Sequence, residues 1–119
     1  MSTVLYARSL FEHLRHICER PRMFAPDFTL AHLFMFIQGY EASLGDENLP
    51  SQHERFREWI YKQRPEWKQS PSWWGRHVLE EHAGDLERAL DGIIKLLDEF
   101  LSGEGAEFAR SPRRQGEEA

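Results

Sequence analysis

The sequence predicts an all-α, single-domain bundle of about five helices with a disordered C-terminal tail. Apolar residues recur at three- and four-residue steps in several segments, the period of a helix with one buried face. Cap residues, prolines and glycines punctuate those segments where helices begin and end. No stretch alternates convincingly enough to be a strand, and no internal repeat occurs. At 119 residues the chain is the size of one domain, and eight Phe with four Trp can fill a core without disulfides. The bundle is expected over residues 1–102 and the tail over 103–119.

The first helix is expected over residues 4–19, with Leu10, Leu14, Ile17 and Cys18 inward, joined by Leu5 or Tyr6, and Arg8, Glu12, Arg15 and Glu19 in water. Pro21 ends it, because the residue before a proline is driven out of helical geometry. The connector over residues 20–26 is too proline-rich for a helix or a central strand, and Met23 and Phe24 are expected to pin it to the core. From Thr29 to Leu44 the chain is apolar nearly all round. Leu30, Leu33, Ile37, Tyr40 and Leu44 form one stripe, and Phe34, Met35 and Phe36 fill most of the rest. Such a helix is expected at the centre of a bundle, capped by Asp27 or Thr29 and stopped by Gly45.

Ser51 to Glu54 has the form of a capping box and opens a third helix with Phe56, Trp59, Ile60 and Gln63 aligned and Pro65 as its limit. Residues 65–71 read as a loop whose Trp67 folds back onto the bundle. Ser70-Pro71 introduces a fourth helix, Ser72 to Ala83, with Trp73 or Trp74, His77 and Val78 inward and Gly84 as its stop. Asp85 caps the fifth, whose stripe is Leu86, Leu90, Ile93, Leu97 and Phe100 or Leu101. Gly92 in its middle lowers helix propensity by about 1 kcal/mol relative to Ala and is expected to let another helix come close.

Composition excludes several classes of function. The lone Cys18 can make no internal disulfide, which fits a reducing cytoplasm. No charged-then-apolar leader opens the chain, and the longest apolar run, Leu33 to Ile37, is far short of the ~20 residues of a membrane span, so a cytoplasmic protein with no membrane partner is expected. Net charge is −5, unevenly spread: residues 80–107 hold nine acidic and two basic residues, whereas residues 1–79 are nearly balanced. Acid concentrated in this way argues against nucleic acid there and suits a basic partner.

Motifs for chemistry are weak. Glu12 with His16, and His77 with Glu81, stand four apart on helices, but no HExxH or CxxC spacing supports a metal. Adjacent carboxylates such as Glu80 and Glu81 point to different sides of a helix, and no GxSxG elbow is present. Residues 55–76 interleave Arg55, Arg57, Lys62, Arg64, Lys68 and Arg76 with six aromatics, a composition used for single strands of nucleic acid. Helical spacing sends Phe56 and Trp59 inward, however, and leaves the cations as a solvated face. No catalytic residue, metal or cofactor is therefore expected.

Arg20-Pro21-Arg22-Met23-Phe24, then Thr29-Leu30, then Phe36-Ile37-Gln38-Gly39-Tyr40 resembles a pattern of small bacterial helical proteins, R-P-x-M-[YF] followed by S/T-L and F-[LI]-x-G-Y. The likeness continues through Phe56-x-x-Trp59 and the Trp74 region to Leu96-Leu97-Asp98-Glu99-Phe100. Some of that group resemble immunity proteins of polymorphic or contact-dependent toxin systems. The resemblance implies a non-enzymatic protein that binds one toxin domain and neutralises it by occlusion. The alternative is a helical accessory or regulatory subunit. An acidic face suits a nuclease toxin, whose substrate groove is basic. The partner-binding residues expected on that ground are Glu80, Asp85, Glu87, Asp91, Asp98 and Glu99. If that face is only solvated surface, the interface is expected near Trp67, Trp73 and Trp74.

Overall fold

Ser9 ends its extended backbone by accepting a 3.4 Å hydrogen bond from the Glu12 N–H, and α1 (Leu10–Glu19) begins there. The computed structural model describes residues 9–109, so the part of the expected first helix over residues 4–8 lies outside the described residues. Leu10, Phe11, Leu14, Ile17 and Cys18 are buried, one face of two and a half turns. The Arg20 N–H closes α1 on the His16 carbonyl. Pro21 does end this helix, yet it also starts another. Its fixed φ and missing N–H suit a first helical position, and α2 (Pro21–Phe24) is a single turn where a non-helical connector was expected. Nor do Met23 and Phe24 pin that turn: they are 80% and 44% exposed, and the buried anchor is Phe28.

Helix α3 (Leu30–Asp46) has the reciprocal cap of a box. The Thr29 side chain accepts from the His32 N–H, and His32 Nδ1 accepts from the Thr29 N–H at 3.0 Å. Asp27 lies 4.0 Å from the His32 ring and is not the cap. Gly45 does not stop this helix. Asn48, at φ 60°, ends it in a left-handed turn, with Leu49 N–H on the Leu44 carbonyl at 2.8 Å and Asn48 N–H on that of Gly45.

Helices α4 (His53–Gln63), with Phe56, Trp59 and Ile60 inside, and α5 (Pro65–Lys68) follow. Trp67 folds back and is buried as expected, but from a helical turn rather than an open loop. Ser70 Oγ accepts from the Ser72 N–H, so Ser70-Pro71 forms a turn ahead of the helix and α6 starts later than expected, at Trp74 (Trp74–Glu81). Asp85 accepts from the Arg88 N–H at 3.2 Å and caps α7 (Leu86–Leu101), in which Ala89, Leu90, Ile93, Leu97 and Phe100 are buried.

The five longer helices pack as one all-α core, but the centre is not the one expected. Helix α7 packs against α1, α6, α4 and the C-terminal turn, whereas α3 packs mainly on α1 and α6. Gly92 is what the sequence suggested: a Cβ there would stand 2.9 Å from the His82 ring and 3.4 Å from Val78 Cγ1, so its lack of a side chain brings α6 close.

The described part of the expected tail is ordered. After Ser102 the chain turns back, and α8 (Ala106–Ala109) lays Phe108 against the rings of Phe11 and Phe100, at 5.0 and 6.2 Å between centroids. Arg55 holds it from outside, with both Glu107 oxygens at 2.7 and 3.2 Å, the Glu104 carbonyl at 3.0 Å, and its guanidinium over the Phe108 ring. Composition alone pointed to disorder over 103–109 because one Phe is few apolar residues. The paired rings of Phe11 and Phe100 supply a surface on which Phe108 is partly buried. Residues 110–119 of the expected tail lie outside the described residues.

Candidate functional site

The six residues expected to bind a partner are exposed, and the fold separates them into two sets. Asp98 is ion-paired to Arg15 across from α1, Glu80 to Arg76 at 3.5 Å, and Asp85 lies 3.8 Å from Arg88 while capping α7. Glu87, Asp91 and Glu99 make no ion pair among the described residues. The remaining acids of 80–107 are also engaged: Glu81 with Arg64 at 3.2 Å, Glu104 with Lys62 at 3.1 Å, and Glu107 with Arg55. The tertiary structure thus pairs four of the nine acids of this segment with cations from other elements, and two more pair locally with Arg76 and Arg88. Glu87 and Asp91, four apart on one stripe of α7, are what remains near its start, with Glu99 on another flank.

Beside that start runs a groove of about 240 Å³ between α7 and residues 21–28. Phe28 and Leu90 are buried in it, Leu86 is half-buried, and Pro21 and Pro26 form the opposite wall. Asp27, Arg22 and Glu87 stand on its rim. The apolar surface continues outward: Phe24 packs edge-on against Phe28 at 6.2 Å and against Phe36 at 5.8 Å, and Phe36 meets Tyr40 at 6.1 Å. The motif residues Phe24, Phe36 and Tyr40 therefore belong to one side of the molecule, and Met23 is exposed on the same turn as Phe24. Sequence reasoning placed Met23 and Phe24 in the core. The signal against that was available, since two prolines bracket the turn and leave it no second face to bury.

The Trp-rich region does not provide exposed anchors. Trp67 and Trp74 are 6% and 0% exposed, and Trp73 is half-buried against Phe34. In residues 55–76 the aromatics turn inward as helical spacing requires, and Arg55, Lys62, Arg64 and Arg76 are ion-paired. Trp67 lies between the Arg64 guanidinium, 5.0 Å from its ring, and the His77 ring stacked at 4.9 Å.

The densest polar cluster joins helix ends. The Glu41 carboxylate accepts from the Gln52 and His53 backbone N–H groups at 3.2 and 3.0 Å and from the Ser51 hydroxyl. It therefore places a negative charge at the positive start of α4. Ser51 Oγ in turn accepts from the Glu54 N–H, one half of the expected capping box. Gln52 Oε1 accepts from the Leu10 N–H at 2.8 Å, and His53 Nε2 from Trp74 Nε1–H at 2.9 Å. Burial holds the His53 imidazole down at about 4, so it is neutral at pH 7 and its acceptor nitrogen is occupied by Trp74. Ser51 thus has a carboxylate partner and no imidazole, an arrangement that satisfies helix ends rather than activating a nucleophile. Burial pushes the Cys18 thiol up to about 12, which keeps it protonated at neutral pH.

Among the described residues, no three His, Cys, Asp or Glu side chains are grouped as a metal would need, and no helix is long and apolar enough to cross a membrane. The His77–Glu81 pair is not formed: His77 faces Glu80 at 3.7 Å and Glu81 faces Arg64. No family model, curated protein or solved structure matches the chain.

Proposed function

We propose that this chain is a non-enzymatic protein-binding module, an immunity protein that neutralises a cognate bacterial toxin domain by covering its active site. The observation that carries the reading is the side of the molecule formed by residues 21–28, α3 and the start of α7. Single exposed apolar residues are ordinary on protein surfaces. Here Met23 and Phe24 are consecutive and exposed on a turn between two prolines, and Phe24 meets Phe28 of a groove whose rim carries Glu87, a carboxylate with no ion pair among the described residues. An apolar centre with charge at its edge is how protein interfaces are built: the centre holds, and the charge guides approach. A partner with a basic active-site cleft, such as a nuclease, complements it.

The test is co-expression with the toxin domain that this reading expects to be encoded next to the gene, followed by measurement of association between the two purified proteins. The expected result is restored growth and an association rate that falls steeply as salt rises. Failure to restore growth, with no binding, overturns the proposal. Stable association with a metabolic enzyme encoded nearby would instead assign the chain to the alternative role of accessory subunit.

A further inference from the structure

We infer that the groove between residues 21–28 and the first turns of α7 is the anchoring pocket for the partner, and that it takes one large apolar side chain flanked by Lys or Arg. The inference rests on the protein-binding reading above and names the place and chemistry of contact. At about 240 Å³ the groove is below the roughly 300–1,000 Å³ of small-molecule sites, a size suited to one protruding side chain. Its floor is Phe28 and Leu90, 7% and 2% exposed, and its wall carries Pro21 and Pro26, whose rings hold the backbone in place before any partner arrives. A preformed pocket loses little freedom on binding. Phe24, against Phe28, extends the apolar surface beyond the pocket mouth.

Charge selects the flanks of the occupant. Glu87 and Asp27 stand on the rim and Asp91 lies one turn farther along α7. Glu87 and Asp91 are two of the three acids of residues 80–107 without an ion pair among the described residues. Arg22 is the one cation on the rim, on the connector side, so a basic partner segment is steered toward the α7 side. Two other clefts differ in their charge. One of about 420 Å³ is lined by Arg57, Lys62 and Lys68 with Tyr61 and Glu58, and its Lys62 is held by Glu104. Another, of about 340 Å³, carries Arg64 and Lys95 as well as Glu81 and Glu99, and Glu81 is held by Arg64.

The experiment titrates the full chain, labelled for backbone NMR, with three synthetic peptides: Lys-Lys-Leu-Lys-Lys, the same peptide with Ser for Leu, and the same with Glu for every Lys. The expected result is saturable shifts centred on Phe28, Leu86, Glu87 and Leu90 with the first peptide, weakening with salt. Affinity should be lower by about tenfold or more for the Ser peptide, and the Glu peptide should not bind. Glu87→Lys, an exposed change that leaves the fold intact, should weaken the first peptide by about fivefold. The inference is overturned if the first peptide causes no shifts up to millimolar concentration, if the shifts centre elsewhere, or if the Ser peptide binds equally well. Should the chain still rescue growth against its toxin after such a result, the groove alone is wrong. Loss of both removes the function as well.

Discussion

The two longest helices, α3 and α7, exchange the places that their compositions suggest. Helix α3 has apolar residues on nearly every side, yet it lies at the periphery. Met35, opposite its buried stripe of Leu30, Leu33 and Ile37, is 67% exposed. Helix α7 carries acids on its outer side and is the hub. What separates them is where small residues fall. Ala89 and Gly92 let α7 be approached closely, while Ile94 and Leu96 pack partly buried on its flanks. Bulky Phe34 and Phe36 on α3 instead hold neighbours off, and they reach outward to Trp73 and Phe24. The attachments differ in kind too. Helix α7 adds to its apolar packing an ion pair of Asp98 with Arg15 of α1, whereas Glu41 ties α3 to the start of α4 through backbone hydrogen bonds.

The comparison breaks most readily at the hub. Phe100→Ala should cost about 3–5 kcal/mol, because its ring meets those of Phe11, Phe56, Trp59 and Phe108. Ile37→Ala on the buried side of α3 should cost about 2–4 kcal/mol, and half-buried Phe36→Ala visibly less. Chemical denaturation measures all three. Equal losses at Phe36 and Phe100 would show that α3 is as central as α7.

Acid should act on the side of α3. His53 is folded with its pKa at about 4, below its ordinary 6.5, so its neutral form is favoured by folding. That contribution is complete above pH 6.5 and declines as the pH falls toward 4, by up to about 3 kcal/mol. His53→Gln keeps an acceptor for Trp74 and should flatten stability between these two values. Amide exchange in acid should quicken first in α3 and at the start of α4; uniform quickening that includes α7 would contradict the division.

Deleting residues 103–119 removes Phe108 and the partners of Arg55, and should lower stability by about 2 kcal/mol. An unchanged melting temperature would mean that the packing of Phe108 contributes nothing. Smaller still, Ala83→Gly should stabilise by about 0.5–1 kcal/mol, since Ala83 ends α6 at φ 56° where glycine has no penalty. Last, Met35→Ala should lie within about 0.5 kcal/mol of the parent, the sharpest single check that the outer side of α3 is solvent.

Local patterns determined by themselves that this chain is helical, where its five longer helices lie, and that Leu86, Leu90, Ile93 and Leu97 share one face. These follow from the period of the helix and from caps such as Thr29 and Asp85, interactions between residues three or four apart that need no distant partner. Three outcomes required tertiary structure. Which helix is central depends on how closely Gly92 and Ala89 allow others to approach, a distance between elements. Whether Phe108 packs depends on the ring of Phe11, nearly a hundred positions earlier in the chain, being brought beside it. The composition of the acidic face depends on which carboxylates meet Arg15, Arg55, Lys62 and Arg64 across the bundle. The candidate site was half legible for that reason: Glu87 and Asp91 could be named as exposed acids, but charge that is cancelled and charge that is left over look identical until distant cations are brought into place.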